Sequence, residues 1–376
     1  MLGLYIHIPF CARKCRYCDF LSFGGHTKGD MEDYMSLLCA EIALLPRQGE
    51  RLCSVFVGGG TPSVLPEGAI PKLLERVGGR FGLSGAEITV EGNPGTVDGN
   101  KLIAWRKAGV NRLSLGVQSF EDGELSRIGR IHTAKQAEEA FCMARDAGFS
   151  NINLDLMYGL PGQSVSSCLR SVERAISLAP EHISFYALIL EEGTPLFRDV
   201  TEGRETLPDG DETADMGDEG AKLLMQAGYE RYEVSNFARK GMRCRHNLLY
   251  WQGGDFLAAG LGASFAVWQG GTVVRGENAA DLRDYAALVR SNIRPLAGTI
   301  VEKGREAMFT FAMMGLRLTE GFSAAAFERR FGMGFAVAFP KTARNPLVEV
   351  TGERVRLRPR GYELMNAVLV GMMEEM

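Results

Sequence analysis

Six short β-rich runs, separated by helical runs, dictate what the first two-thirds of this chain can become. The runs are Leu4–Ile8, Ser54–Val57, Glu87–Val90, Arg112–Leu115, Asn153–Met157 and His182–Leu188. The residues between them repeat with helical period. In Met31–Leu45, for example, Tyr34, Leu37, Leu38, Ile42 and Leu45 fall on one face. Thr133 followed by Gln136 opens a later helix with a capping box, and Gly148 is placed to end it. Six such βα repeats predict an α/β fold, a parallel sheet curled into a partial (βα)6 barrel.

The rest of the chain reads differently. Arg198–Gly217 is polar, acidic and rich in turn residues, which predicts an exposed connection. A helix over Glu219–Ala227 and a strand over Glu230–Val234 then close the α/β unit, giving a barrel domain over 1–235 and a second domain over 236–376. In the latter, helices over Glu306–Leu318 and Ser323–Phe331 precede a hairpin, Leu347–Val350 and Arg354–Leu357, around Thr351-Gly352-Glu353. A last helix over Gly361–Met372 completes a small α+β, winged-helix-like module.

Composition narrows the partners. A 45% apolar, 23% charged chain of 376 residues is globular, and its net charge of −4 argues against bulk nucleic acid as its main partner. The uncharged stretch Phe256–Val274 is broken by Gly260, Gly262, Gln269, Gly270 and Gly271, so it reads as buried strand and loop, not as a transmembrane segment. Met1–Phe10 has no basic n-region of a secretory signal. Eight cysteines in a chain too large to need disulfide staples, three of them crowded together, suit a cytoplasmic metal or cluster protein.

That crowd is Cys11-x3-Cys15-x2-Cys18, on the loop after the first strand. Thiolates are soft ligands for iron–sulfur clusters and for zinc. Three on a short loop can hold three corners of a [4Fe–4S] cluster and leave the fourth iron open. Zinc with a fourth ligand such as His7 or His26 is the alternative, although structural zinc usually pairs two CxxC halves and only one is present.

Function in such barrels gathers at the carboxyl ends of the strands. There the sequence places Gly58-Gly59-Gly60-Thr61-Pro62, Glu91, Gln118, Asp155 and Tyr186-Ala187. Singly, the glycines could form a turn and the carboxylates structural ion pairs. Together on one rim they read as a ligand site.

With Tyr5-Ile6-His7-Ile8-Pro9-Phe10-Cys11 and Cys15-Arg16-Tyr17-Cys18-Asp19-Phe20, the sequence resembles the radical S-adenosylmethionine (SAM) superfamily, in its branch of coproporphyrinogen dehydrogenases and haem chaperones. The resemblance runs over most of the chain. It implies a [4Fe–4S] cluster on Cys11, Cys15 and Cys18, with the open iron chelating the amine and carboxylate of SAM. It implies that the Gly59-Gly60-Thr61 backbone meets the methionyl amine end, and that Glu91, Gln118, Arg130 and Asp155 contact SAM. Tyr5, Tyr17 and Ala187 would contribute backbone or packing contacts. The branch also shows a second SAM site, which these residues could share. An electron from the cluster, supplied by an external donor, would cleave SAM to methionine and a 5′-deoxyadenosyl radical.

Within the branch, the dehydrogenases carry a further cysteine where this chain has Phe20, and an extension before the first strand. His246-Asn247-Leu248-Leu249-Tyr250-Trp251 instead matches the HNxxYW motif of the haem chaperones. The resemblance therefore implies a protein that binds haem and delivers it to client proteins, with His246 as the candidate axial ligand and Cys244 as a lesser one. A buried core histidine is the alternative. The competing functions are a coproporphyrinogen dehydrogenase, another radical SAM enzyme acting on tetrapyrroles, and a zinc-stapled binding protein.

Overall fold

The computed structural model describes residues 1–376. Seven parallel strands form the body of one twelve-stranded sheet. In chain order they are β1 (Leu2–Ile8), β2 (Leu52–Gly59), β3 (Glu87–Gly92), β4 (Arg112–Gln118), β5 (Ile152–Tyr158), β6 (His182–Ala187) and, on the far side of β1, Asp255–Ala259. The first six pair in sequence order, each followed by a helix. The helices Lys28–Leu44, Ala69–Arg80, Gly99–Lys107, Ala134–Asp146 and Val165–Leu178 are the crossovers. Thr133 and Gln136 form the capping box expected of them, and Gly148, just past the helix end, takes a positive φ.

Alternation along each strand explains the layering. Leu4, Ile6 and Ile8, Val55 and Val57, Leu113, Leu115 and Val117, and Leu154 and Leu156 point outward and are fully or almost fully buried under the helices. The opposite face carries Ser54, Glu91, Arg112, Ser114, Asn153 and Asp155, so the concave side of the sheet is polar. The curl stays open, because each edge ends in antiparallel strands. Beside β6 the chain forms the short pair β7 (Glu230–Arg231) and β8 (Asn236–Ala238).

At the other edge the strand Asp255–Ala259 is β9, followed by β10 (Ser264–Gln269), β11 (Thr272–Asn278) and β12 (Leu296–Glu302). The uncharged stretch Phe256–Val274 is thus β9, β10 and the start of β11. The sheet and its core, with Leu257, Ala259, Tyr285 and Val289, run through the 235/236 point at which the sequence suggests a division. A separate core begins with helix Arg305–Gly315. It joins Phe311, Phe322, Phe327, Phe335 and Phe339 to Val355, Leu357 and Met372. Its sheet has β15 (Arg354–Leu357) between β13 (Phe322–Ser323) and β14 (Val348–Val350), the last pair being the expected hairpin.

Three expectations are corrected. Arg198–Gly217 is largely helical, in Pro195–Thr201 and Gly210–Gln226. The second of these starts at the Asp209–Glu212 capping box, so its acidic residues cap a helix instead of marking a loop. Of the expected strand 230–234, only Glu230–Arg231 pairs with β8, because the chain turns back at once, while Glu233 makes an isolated bridge to Leu318. The last helix is two, Pro359–Glu363 and Met365–Met373.

Candidate functional site

The loop after β1 is fastened at several points. Phe23 N donates to Pro9 O (2.8 Å) and Cys11 N to Phe23 O (2.8 Å), closing the loop on its own strand. Gly60 N donates to Ile8 O (2.8 Å) and Thr61 N to Phe10 O (2.7 Å), tying it to the end of β2. A Cβ on Gly60 would lie 2.7 Å from Phe10 O and 2.9 Å from Ile8 O, so only glycine permits this approach. Arg13 donates to the carbonyls of Gly129 (3.0 Å) and Arg130 (2.8 Å). Arg16 reaches Asp199 and Glu205, and Leu196 N donates to Arg16 O (2.8 Å). Asp199 and Glu205, in the segment that reads from sequence as an exposed connection, therefore clasp the cysteine loop.

The three thiols open onto a cavity of about 310 Å³ lined by Cys11, Cys15, Cys18, Tyr17, Gly59, Gly60, Thr61, Glu91, Gln118, Arg130 and Asp155. Of the residues assigned to cluster and SAM from sequence, Tyr5 and Ala187 alone stand outside its lining. The Tyr5 hydroxyl instead meets His7 Nδ1 (3.0 Å), and Ala187 pairs with Tyr158 between β6 and β5. Arg13, Phe20, Gly92, Asn93, Ser114, Gly116 and Tyr186 complete the wall. Ser114 and Gly116 could have been found by counting back in twos from Gln118 along β4.

The electrostatics suit a cationic ligand beneath a thiolate centre. Thr61 Oγ1 donates to Cys11 Sγ (3.5 Å) and Arg130 Nη1 to Cys15 Sγ (3.4 Å). Arg130 Nε is buried with no partner. Burial pushes the Cys18 thiol up. No three His, Cys, Asp or Glu side chains gather round one point as the ligands of a single metal ion do.

Glu91 Oε2 accepts from Gly59 N (3.1 Å), and the carboxyl is pushed up to about 8 by burial and by the charge of Asp155. Burial raises Asp155 too, against hydrogen bonds from Asn153 Nδ2 (2.7 Å) and Ser114 Oγ (3.3 Å). Gln118 adopts φ 71° at the end of β4, and its Oε1 accepts from Tyr186 Oη (3.1 Å). This backbone conformation is uncommon outside glycine and turns the side chain toward the cavity.

His246 lies elsewhere. It is 1% exposed, in the helix Arg245–Trp251 under the amino-terminal end of the sheet, the end away from the cysteine loop. Ser54 Oγ meets its Nδ1 (2.8 Å), Tyr250 Oη meets its Nε2 (2.5 Å), and its ring stacks on Phe56. Burial pulls its pKa down to about 3, so the ring is neutral. With both nitrogens engaged, it has the geometry of a core histidine and offers haem iron no free ligand as placed. Cys244 is also fully buried, its Sγ on Glu87 (3.5 Å) and its thiol pushed up to about 12.

A thiol-bearing loop over the carboxyl ends of a parallel sheet, with a glycine-lined cavity beneath, defines a radical SAM protein, and residues 5–175 match the Radical SAM superfamily. Residues 303–364 match the HemN C-terminal domain. The fold is that of the coproporphyrinogen III oxidase HemN from Escherichia coli, with a TM-score of 0.84 over 99% of this chain and 89% of that one, at 23% identity.

Among curated proteins, the haem chaperone HemW of Bacillus subtilis (strain 168) is 35% identical over 100% of both chains. HemW of Escherichia coli (strain K12) is 43% identical over 70% of this chain and 69% of its own. The chain belongs to the HemW family. Membership in the superfamily implies a [4Fe–4S] cluster and SAM, and no helix is long and apolar enough to cross a membrane.

Proposed function

We propose that this protein is a cytoplasmic haem chaperone built on a radical SAM core: it binds haem and passes it to client proteins. The full-length similarity to HemW carries this reading. The likeness to coproporphyrinogen oxidase is one of fold alone, and Phe20, 68% exposed at the cavity mouth, stands where that enzyme class has a further cysteine.

In this reading Cys11, Cys15 and Cys18 hold the cluster, and the cavity residues hold SAM. When bound, the cluster supplies a single electron to a sulfonium. The chain's own part is to position and to exclude water. The Gly59–Thr61 backbone fixes the loop and leaves room for a ligand's amine end. Arg130 screens the charge of the thiolates. Glu91 holds a proton while the cavity lacks a cation and releases it when one arrives, because a neighbouring positive charge favours the carboxylate.

His246 can serve as the haem ligand only if one of its ring nitrogens leaves its hydroxyl partner, Nε2 from Tyr250 or Nδ1 from Ser54. The test is anaerobic reconstitution with iron and sulfide, followed on one sample by haem titration and by an assay for coproporphyrinogen turnover with a reductant and SAM. Haem uptake without turnover supports the chaperone. Turnover, or no haem uptake, overturns it.

A further inference from the structure

Arg112, near the start of β4, is 2% exposed and lies inside the curl of the sheet. A buried guanidinium normally has a carboxylate partner or a full set of hydrogen bonds, because an unpaired charge out of water is costly. Arg112 has neither. Its Nε is buried without a partner, and Glu87 and Asp155 act on it through charge alone. Those two carboxylates are engaged elsewhere. Glu87 Oε1 accepts from Arg245 N (2.9 Å) and His246 N (3.2 Å), and Asp155 accepts from Asn153 and Ser114. Glu91, the third carboxyl nearby, is mostly protonated at neutral pH.

The guanidinium lines a second cavity, of about 400 Å³, whose wall is otherwise mainly amides and hydroxyls: Asn153, Asn236, Asn247, Ser184 and Ser235. Asn236 Oδ1 is a second buried polar atom with no partner. The cavity shares Glu91, Ser114, Asp155 and Tyr186 with the one beneath the cysteines, so it is the deeper compartment of the same opening. Its volume is at the small end for ligand sites, and its lining is that of a polar guest.

We propose that this compartment is a second ligand site, distinct from those for cluster and SAM, which takes a small organic acid with its carboxylate on Arg112. A guanidinium is the side chain best shaped for a carboxylate, by two parallel hydrogen bonds. The surrounding amides and hydroxyls supply donors and acceptors for the rest of the molecule.

The test uses the full-length, cluster-loaded protein with SAM at saturation. Acetate and succinate are the probes, titrated against chloride at equal ionic strength and followed by thermal shift. The site predicts saturable stabilisation by at least one carboxylate, and an affinity about tenfold to a hundredfold lower in Arg112→Met. Arg112→Lys keeps the charge without the fork and should fall between the two in affinity. Absence of saturable binding, equal binding by Arg112→Met, or a folded state lost in Arg112→Met would each overturn the proposal; the last outcome would make Arg112 a structural group.

Discussion

Replacing Glu91 by Gln tests the electrostatic description of the cavity. In the folded chain this carboxyl is raised from 4.5 to about 8, chiefly by burial and next by Asp155. Between those values the folded protein holds a proton that the unfolded chain has released. Stability must therefore fall as pH rises through this window and level off above it. At about 1.36 kcal/mol per tenfold change in proton affinity, the full effect is at most about 5 kcal/mol. The carboxyl faces the cavity, where water screens it, so about 2–3 kcal/mol is a fair expectation.

Gln is neutral at every pH and keeps an oxygen for Gly59 N. Urea unfolding of the SAM-free protein should show Glu91→Gln gaining on wild type by that amount between about pH 5 and about pH 9. SAM reverses the shift, so its binding near neutral pH should release close to one proton from wild type. Calorimetry in buffers of different ionisation enthalpy reads that proton, and Glu91→Gln should lose it. A stability gap that stays constant with pH would refute the argument.

Replacing Cys11, Cys15 or Cys18 by Ala should abolish iron and sulfide uptake on reconstitution, while the same change at Cys39, Cys53, Cys142 or Cys168 should not; metal analysis decides. Gly60→Ala forces a Cβ onto the carbonyls of Ile8 and Phe10 and should lower cluster retention, read as iron per chain after gel filtration. Asp155→Ala should weaken SAM binding by calorimetry with iron content unchanged. His246→Ala strands the Ser54 and Tyr250 hydroxyls and leaves a cavity, at a cost of about 3–5 kcal/mol in urea unfolding. If that variant keeps wild-type stability and loses haem, the axial-ligand reading stands and the core-histidine geometry is wrong.

Much of this protein was legible in its sequence because the signals are local. Period-two and helical patterns mark the six βα repeats, since a strand or helix must turn its apolar side to one core. Positions at the carboxyl ends of successive strands share a rim whatever the loops between them do. That is why the sequence alone puts residues as distant as Gly59 and Asp155 on one cavity.

What the sequence could not decide depends on contacts between distant segments. Nothing local in Phe256–Val274 says that β9 will pair with β1 and carry the sheet past residue 235, because strand pairing is settled by the partner's free edge. The clasp of Arg16 on Asp199 and Glu205 spans more than 180 residues and has no pattern of its own. The motif around His246 marks the histidine but not its environment. Tyr250 lies one turn along the same helix, within reach from the spacing alone, but only the packing of that helix under β2 brings Ser54 and Phe56 onto the ring. Likewise Arg112 is an ordinary residue at the start of a strand until the closing sheet withdraws it from water and gives it no carboxylate to hold.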